Sequence, residues 1–166
     1  MALYTQHDID ELIGCPKKID SAPRKELKLV GADWRNDMIL AASDGTKGDF
    51  SVFMRKSEDF PENFSIGLVY HAIDGRGEIT LLRCNGQHGV YNGGGGDSSH
   101  PHWDYHIHRA SESALDAGER AEKYATKTIE YATFDEALQY FVVAVNLNEK
   151  DRNKYFQRKN QPWLFN

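Results

Sequence analysis

Phe64-Ser-Ile-Gly-Leu-Val-Tyr-His71, then Ala72-Ile-Asp-Gly-Arg-Gly77, then Glu78-Ile-Thr-Leu-Leu-Arg-Cys84 is the stretch that decides how this chain folds. Phe64, Ile66, Leu68 and Tyr70 occupy alternate positions, the period of a strand with one face to bury. Asp74-Gly75 is a tight-turn signature, so Glu78–Cys84 is expected to return antiparallel beside it. Upstream, Gly48–Lys56 repeats the period with Phe50, Val52 and Met54, joined through a polar connection that holds Pro61. Met38–Ala42 and Leu27–Val30 are further candidate strands, separated by the polar Asp33–Asp37 stretch.

Helices bracket these strands. Thr5 is a good N-cap, Asp8 suits the first turn, and Ile9, Leu12 and Ile13 share a face before Gly14 and Pro16 stop the helix. Lys17, Lys18, Arg24, Lys25 and Lys28, set among Pro and Ser, read as a solvated connector or a small basic patch. Ser111–Lys123 carries a weak helix signal interrupted by Gly118, and Thr126–Tyr131 suits an edge strand. Thr133-Phe-Asp-Glu136 has the spacing of a capping box. Ala137, Leu138, Phe141, Val142, Ala144 and Val145 then form an apolar face suited to covering a sheet. The expected fold is α+β: a mostly antiparallel β-sheet meander with an N-terminal helix and a C-terminal helix packed on one face. Residues 1–166 form a single domain in this reading, with 149–166 an extended tail.

The chain has 166 residues, 40% of them hydrophobic, and a formal net charge of -5. That balance argues against a broadly basic nucleic-acid surface but leaves room for a local basic groove. Cys15 and Cys84 lie far apart and form no close pair, which suits a reducing, cytoplasmic setting. No apolar run approaches the roughly 20 residues that span a bilayer, so no membrane association is expected.

His100-Pro-His-Trp-Asp-Tyr-His-Ile-His108 gathers four of the seven histidines. As a strand from His102 onward it sets His102, Asp104, His106 and His108 on one side, with Trp103, Tyr105 and Ile107 on the other. The histidine side is expected to be accessible and the aromatic side buried. Gly93–Gly96, just before it, lacks the Lys-Ser/Thr of a P-loop and leads into a strand, so it reads as a loop that could close over a ligand. Histidines at i and i+2, with His88 as a third, form one set that could ligate a divalent metal. Without metal, Arg83, Asn85, His88, His106 and His108 at the ends of two adjacent strands supply acid, base and cation for cleaving a phosphodiester. Asp104 and tyrosine hydroxyls can equally hold such histidines as a purely structural polar face. His7 and His71 stand alone and read as ordinary surface or strand-end residues.

A strand ending Arg83-Cys-Asn85-Gly-Gln-His88, a loop, and then the His100–His108 strand resembles the TumE-like toxin family and related uncharacterised bacterial proteins. Over about residues 48 to 110 this resemblance points to Arg83, Asn85, His88, His102, His106 and His108. It implies a toxin–antitoxin or mobile-element setting, with RNA or an antitoxin-like protein as partner. Cys84, Gly86, the longer glycine loop and the C-terminal extension depart from the family pattern. Two functions follow as expectations. One is an RNA-directed hydrolase in which Arg83, His88, His106 and His108 are catalytic. The other is a non-catalytic protein holding a partner, anion or metal on the same face, with Asn85, His102 and Asp104 as binding residues.

Overall fold

The computed structural model describes residues 3–88 and 103–157. His100, His102, the Gly93–Gly96 loop and the Trp163-Leu164-Phe165 end of the chain lie outside the described residues. The fold is α+β, as expected from the sequence. Eight strands form one sheet: β1 (Lys17–Ser21), β2 (Lys28–Val30), β3 (Asp33–Ala42), β4 (Asp49–Ser57), β5 (Phe64–His71), β6 (Glu78–Asn85), β7 (His106–Arg109) and β8 (Ala125–Lys127). The order is β1-β3-β4-β5-β6-β7-β8, with β2 on the far end of β3, and neighbouring strands pair antiparallel.

One face of this sheet is the core. Met38, Leu40, Phe50, Val52, Met54, Phe64, Ile66, Leu68 and Tyr70 are buried there, in the alternation read from the sequence. Helix α1 (Gln6–Gly14) packs against β6 and helix α3 (Phe134–Ala144) against β5 and β6. Thr5 and Asp8 close a full capping box on α1. On α3 the Thr133 hydroxyl accepts from the Glu136 amide, but the Glu136 carboxylate reaches Ala132, one residue beyond the reciprocal partner. Phe134, Ala137, Phe141, Val142 and Val145 form its buried side. Short α2 (Glu112–Asp116) and α4 (Glu149–Phe156) complete the described chain, so the first half of the expected tail is a helix capped by Asn148. No helix among the described residues is long and apolar enough to cross a membrane.

Two expectations change. Asp33–Asp37 is strand, not a polar break, because it pairs with β4 along its length and sends Arg35 and Asp37 outward while Asn36 is buried. The Lys17–Lys28 region is no simple connector: Lys17 opens edge strand β1 and is buried inside the fold.

A bulge in β6 determines what the second face of the sheet carries. Leu68 pairs with Leu82 and Val69 with Thr80, so Leu81 is the extra residue. Before it, Ile79 faces the core; after it, Leu82 and Cys84 do, and Arg83 and Asn85 turn to the opposite face. Without the bulge, the residue set would be in the wrong phase and Arg83 would point into the hydrophobic core.

Candidate functional site

The strand register assembles the site on the face away from the helices. Arg83 lies beside His108 and Asn85 beside His106 across β6 and β7. On the other side of β6, Asn85 neighbours Ser65, whose hydroxyl donates to the Asn85 side-chain oxygen at 2.8 Å. Arg83 neighbours Gly67. A side chain at Gly67 would meet the Phe53 ring at 2.2 Å, so glycine is what lets that ring lie over the strand next to Arg83.

Three imidazoles stand in a row. The centroids of His88 and His106 are 5.1 Å apart, and those of His106 and His108 are also 5.1 Å apart, each pair edge to face. His106 Nδ1 lies 2.8 Å from the Asp104 carbonyl and His108 Nδ1 lies 2.9 Å from the Glu122 carbonyl. A carbonyl oxygen only accepts, so both rings donate from Nδ1. In the neutral ring that tautomer leaves Nε2 as the basic nitrogen. From the core side, the Tyr131 hydroxyl sits within hydrogen-bond reach of the Asn85 and His106 carbonyls and ties the ends of β6 and β7 together.

The alternation expected for the histidine segment holds within β7, but the histidine side is buried instead of accessible, and Trp103, expected to be buried, is exposed. His106 is 0% and His108 1% exposed, whereas Trp103 is 40% exposed. Tyr105 and Ile107 are half-buried and pack against the core. The strand starts only at His106, so Asp104 precedes it; its carboxylate pairs with Lys127 at 3.0 Å and its carbonyl holds His106. The physical reason for the reversal is that both faces of β7 are covered. The sequence shows the period but not the Glu122 segment that closes over His108.

Arg83 forms no ion pair among the described residues, and its buried Nε has no hydrogen-bond partner among them. Burial pulls its pKa below the usual arginine value, and the nearby cations Arg120 and Arg55 act in the same direction while Glu122 opposes them. The guanidinium remains charged at any ordinary pH. Arg55 is held by Asp33 at 3.1 Å and by the Asn63 side chain at 3.3 Å, while Arg120 is largely exposed. Arg83, Arg55 and Arg120 thus form a mixed charge cluster with Asp33 and Glu122. Glu122, buried in this cluster, was not singled out by sequence, because nothing in Arg120-Ala-Glu-Lys123 distinguishes it from a solvated charged run.

Among the described residues no group of three or more His, Cys, Asp or Glu side chains is arranged to hold a metal ion. His102, part of the metal reading, lies outside them. Neighbouring Cys84 faces the core; burial pushes its thiol up to about 12, which makes it a packing residue and not a nucleophile. No family model matches the chain, and no curated protein and no solved structure matches it significantly.

Proposed function

We propose that the β6–β7 face binds a phosphodiester and that the protein is an RNA-directed hydrolase. The observation that carries this reading is the register that sets Arg83 beside His108 and Asn85 beside His106 on one face. Guanidinium groups match phosphate oxygens in charge and geometry, and Arg83 has a buried Nε–H with no partner among the described residues to offer one. One neutral histidine takes the proton of the attacking hydroxyl through Nε2. A protonated one, His106 and His108 sharing these roles with His88 at the end of the row, delivers a proton to the departing oxygen. Arg83 steadies the charge that builds on phosphorus. A bacterial, cytoplasmic toxin–antitoxin setting, with an antitoxin-like protein as inhibitor, completes the proposal on the strength of the sequence resemblance.

His108→Asn tests it. Asparagine retains a donor for the Glu122 carbonyl and removes the ring Nε2, so cleavage of a labelled RNA should fall by about 10²–10⁴-fold with the melting temperature little changed. A wild-type protein that leaves RNA intact would remove the hydrolase reading. The near-complete burial of His106 and His108 favours the second reading, a non-catalytic holder of a partner, anion or divalent metal. In that case RNA or phosphate binds uncut, or metal analysis of the purified protein finds a bound ion.

A further inference from the structure

His71 stands alone in the sequence but not in the fold. It ends β5 on the face of the sheet away from the helices, with Asp49 opposite it on β4 and Glu78 opposite it on β6. Its Nε2 lies 2.8 Å from the Ser51 hydroxyl, and its Nδ1 lies 3.4 Å from the Glu78 carboxylate. An ionised carboxylate only accepts, so the Nδ1 proton faces Glu78, and in the neutral ring Nε2 accepts from the Ser51 hydroxyl. A hydroxyl aimed at a basic ring nitrogen, with a carboxylate on the far side of the ring, is the arrangement that makes serine a nucleophile. Ser51 is half-buried and the His71 side chain is 41% exposed, so a reagent reaches both from solvent. Ser51 also stands between Ile39 on β3 and Val69 on β5, and Ile39 is exposed. Neighbours across a sheet face lie about 5 Å apart, so a chain of a few carbons on the Ser51 oxygen rests against these two side chains.

We propose that Ser51, His71 and Glu78 form a nucleophilic acyl-transfer site that takes an activated carboxylic ester with a short aliphatic acyl chain. Ser51 Oγ attacks the carbonyl carbon as its proton passes to His71 Nε2. The bond from that carbon to the alcohol oxygen breaks, and the alcohol departs with the proton. Water then gives a proton to Nε2 and attacks the acyl-serine, the bond to Ser51 Oγ breaks, Ser51 recovers its proton and the carboxylic acid leaves. Ser51 and His71 touch the reacting atoms; Glu78 is a positioning residue that holds the ring in the required tautomer. Strand β4 pairs on both sides, which takes up its amides in the ladder. It therefore supplies general-base catalysis and no oxyanion hole, which is why the ester needs a good leaving group. The site lies at the opposite end of β6 from Asn85 and does not rest on the phosphodiester reading.

Two probes on the full chain test it. An alkyl fluorophosphonate loses fluoride to an activated serine, and peptide mass spectrometry should place the adduct on Ser51. Hydrolysis of p-nitrophenyl butyrate should fall by about 10²–10⁴-fold in Ser51→Ala and in His71→Asn, with the melting temperature little changed. Either variant suffices if the other does not fold. The Glu78 side chain is 72% exposed, so Glu78→Ala should slow hydrolysis only about fivefold. Nitrogen NMR of the His71 ring should then move from the Nδ1–H towards the Nε2–H form, a change that a carboxylate with no part in positioning the ring would not produce. A wild-type protein unlabelled at Ser51, or labelling and hydrolysis as fast in His71→Asn as in wild type, overturns the proposal. An unchanged tautomer in Glu78→Ala overturns the role given to Glu78.

Discussion

Lys17 and Arg83 are cations drawn out of water on opposite faces of the sheet, and their surroundings differ completely. Lys17 is 0% exposed and donates to the carbonyls of Ile13, Cys15 and Val145 at 2.8, 2.9 and 2.9 Å, with Phe50 beneath it at 4.9 Å. These carbonyls end α1 and α3, so the ammonium caps the negative ends of two helices at once and all three of its donors are used. Burial lowers its pKa, and the carbonyls offset the loss of water. Arg83 is also withdrawn from water, yet its Nε–H has no partner among the described residues. A buried cation wired wholly to backbone holds the fold together. One with a donor in reserve has capacity for something that comes from outside.

Breaking the helix-covered face should have the largest effect. Phe141 is fully buried, and Phe141→Ala should lower unfolding free energy by about 3–5 kcal/mol in a denaturant titration. Lys17→Met comes next. It removes the charge but leaves buried carbonyls without their donor, which should cost about 2–4 kcal/mol. Phosphate binding should be untouched, because Lys17 lies on the other face. Arg83→Met sharpens the contrast: a stability change within about 1 kcal/mol is expected, since the apolar replacement removes a poorly satisfied charge, together with loss of phosphate binding. If Lys17→Met were silent and Arg83→Met strongly destabilising, the assignment of the two cations would be reversed.

The smallest effect concerns Cys84. Its thiol is raised from an ordinary value near 9 to about 12 by burial, so the native state keeps its proton where the unfolded chain loses it. The unfolded state then binds fewer protons, and stability should fall as pH rises from about 9 towards 12. At pH 8 the native thiol should label only as fast as the protein unfolds. Rapid labelling of folded protein would show that the core side of β6 is open.

The core was legible because apolar residues at Phe50, Val52 and Met54, and from Phe64 to Tyr70, keep strict period two, and a one-sided sheet needs nothing more. Helix α3 was legible from Thr133 and its apolar face. The site was legible only in part. Arg83, Asn85, His106 and His108 do meet on one face, and the antiparallel register of β6 and β7 is the reason. Burial of His108 was not legible, because its ring meets a carbonyl fourteen residues away at Glu122. A lysine in a basic run gives no sign that the carbonyls at the end of the preceding helix will be joined by Val145, 128 residues away, to bury it. The Leu81-Leu82 doublet was the available signal for the bulge that turns Arg83 away from the core.

The most direct test of the difference between the two faces is the proton–nitrogen NMR spectrum of the arginine side chains during a phosphate titration. The Arg83 Nε–H, assigned by its disappearance in Arg83→Met, should shift progressively and exchange more slowly with water as phosphate occupies it, while the Lys17 ammonium remains unchanged. An Arg83 Nε–H that does not respond to phosphate, or that responds no more than the solvent-exposed arginines, would contradict the assignment of this face as a ligand site.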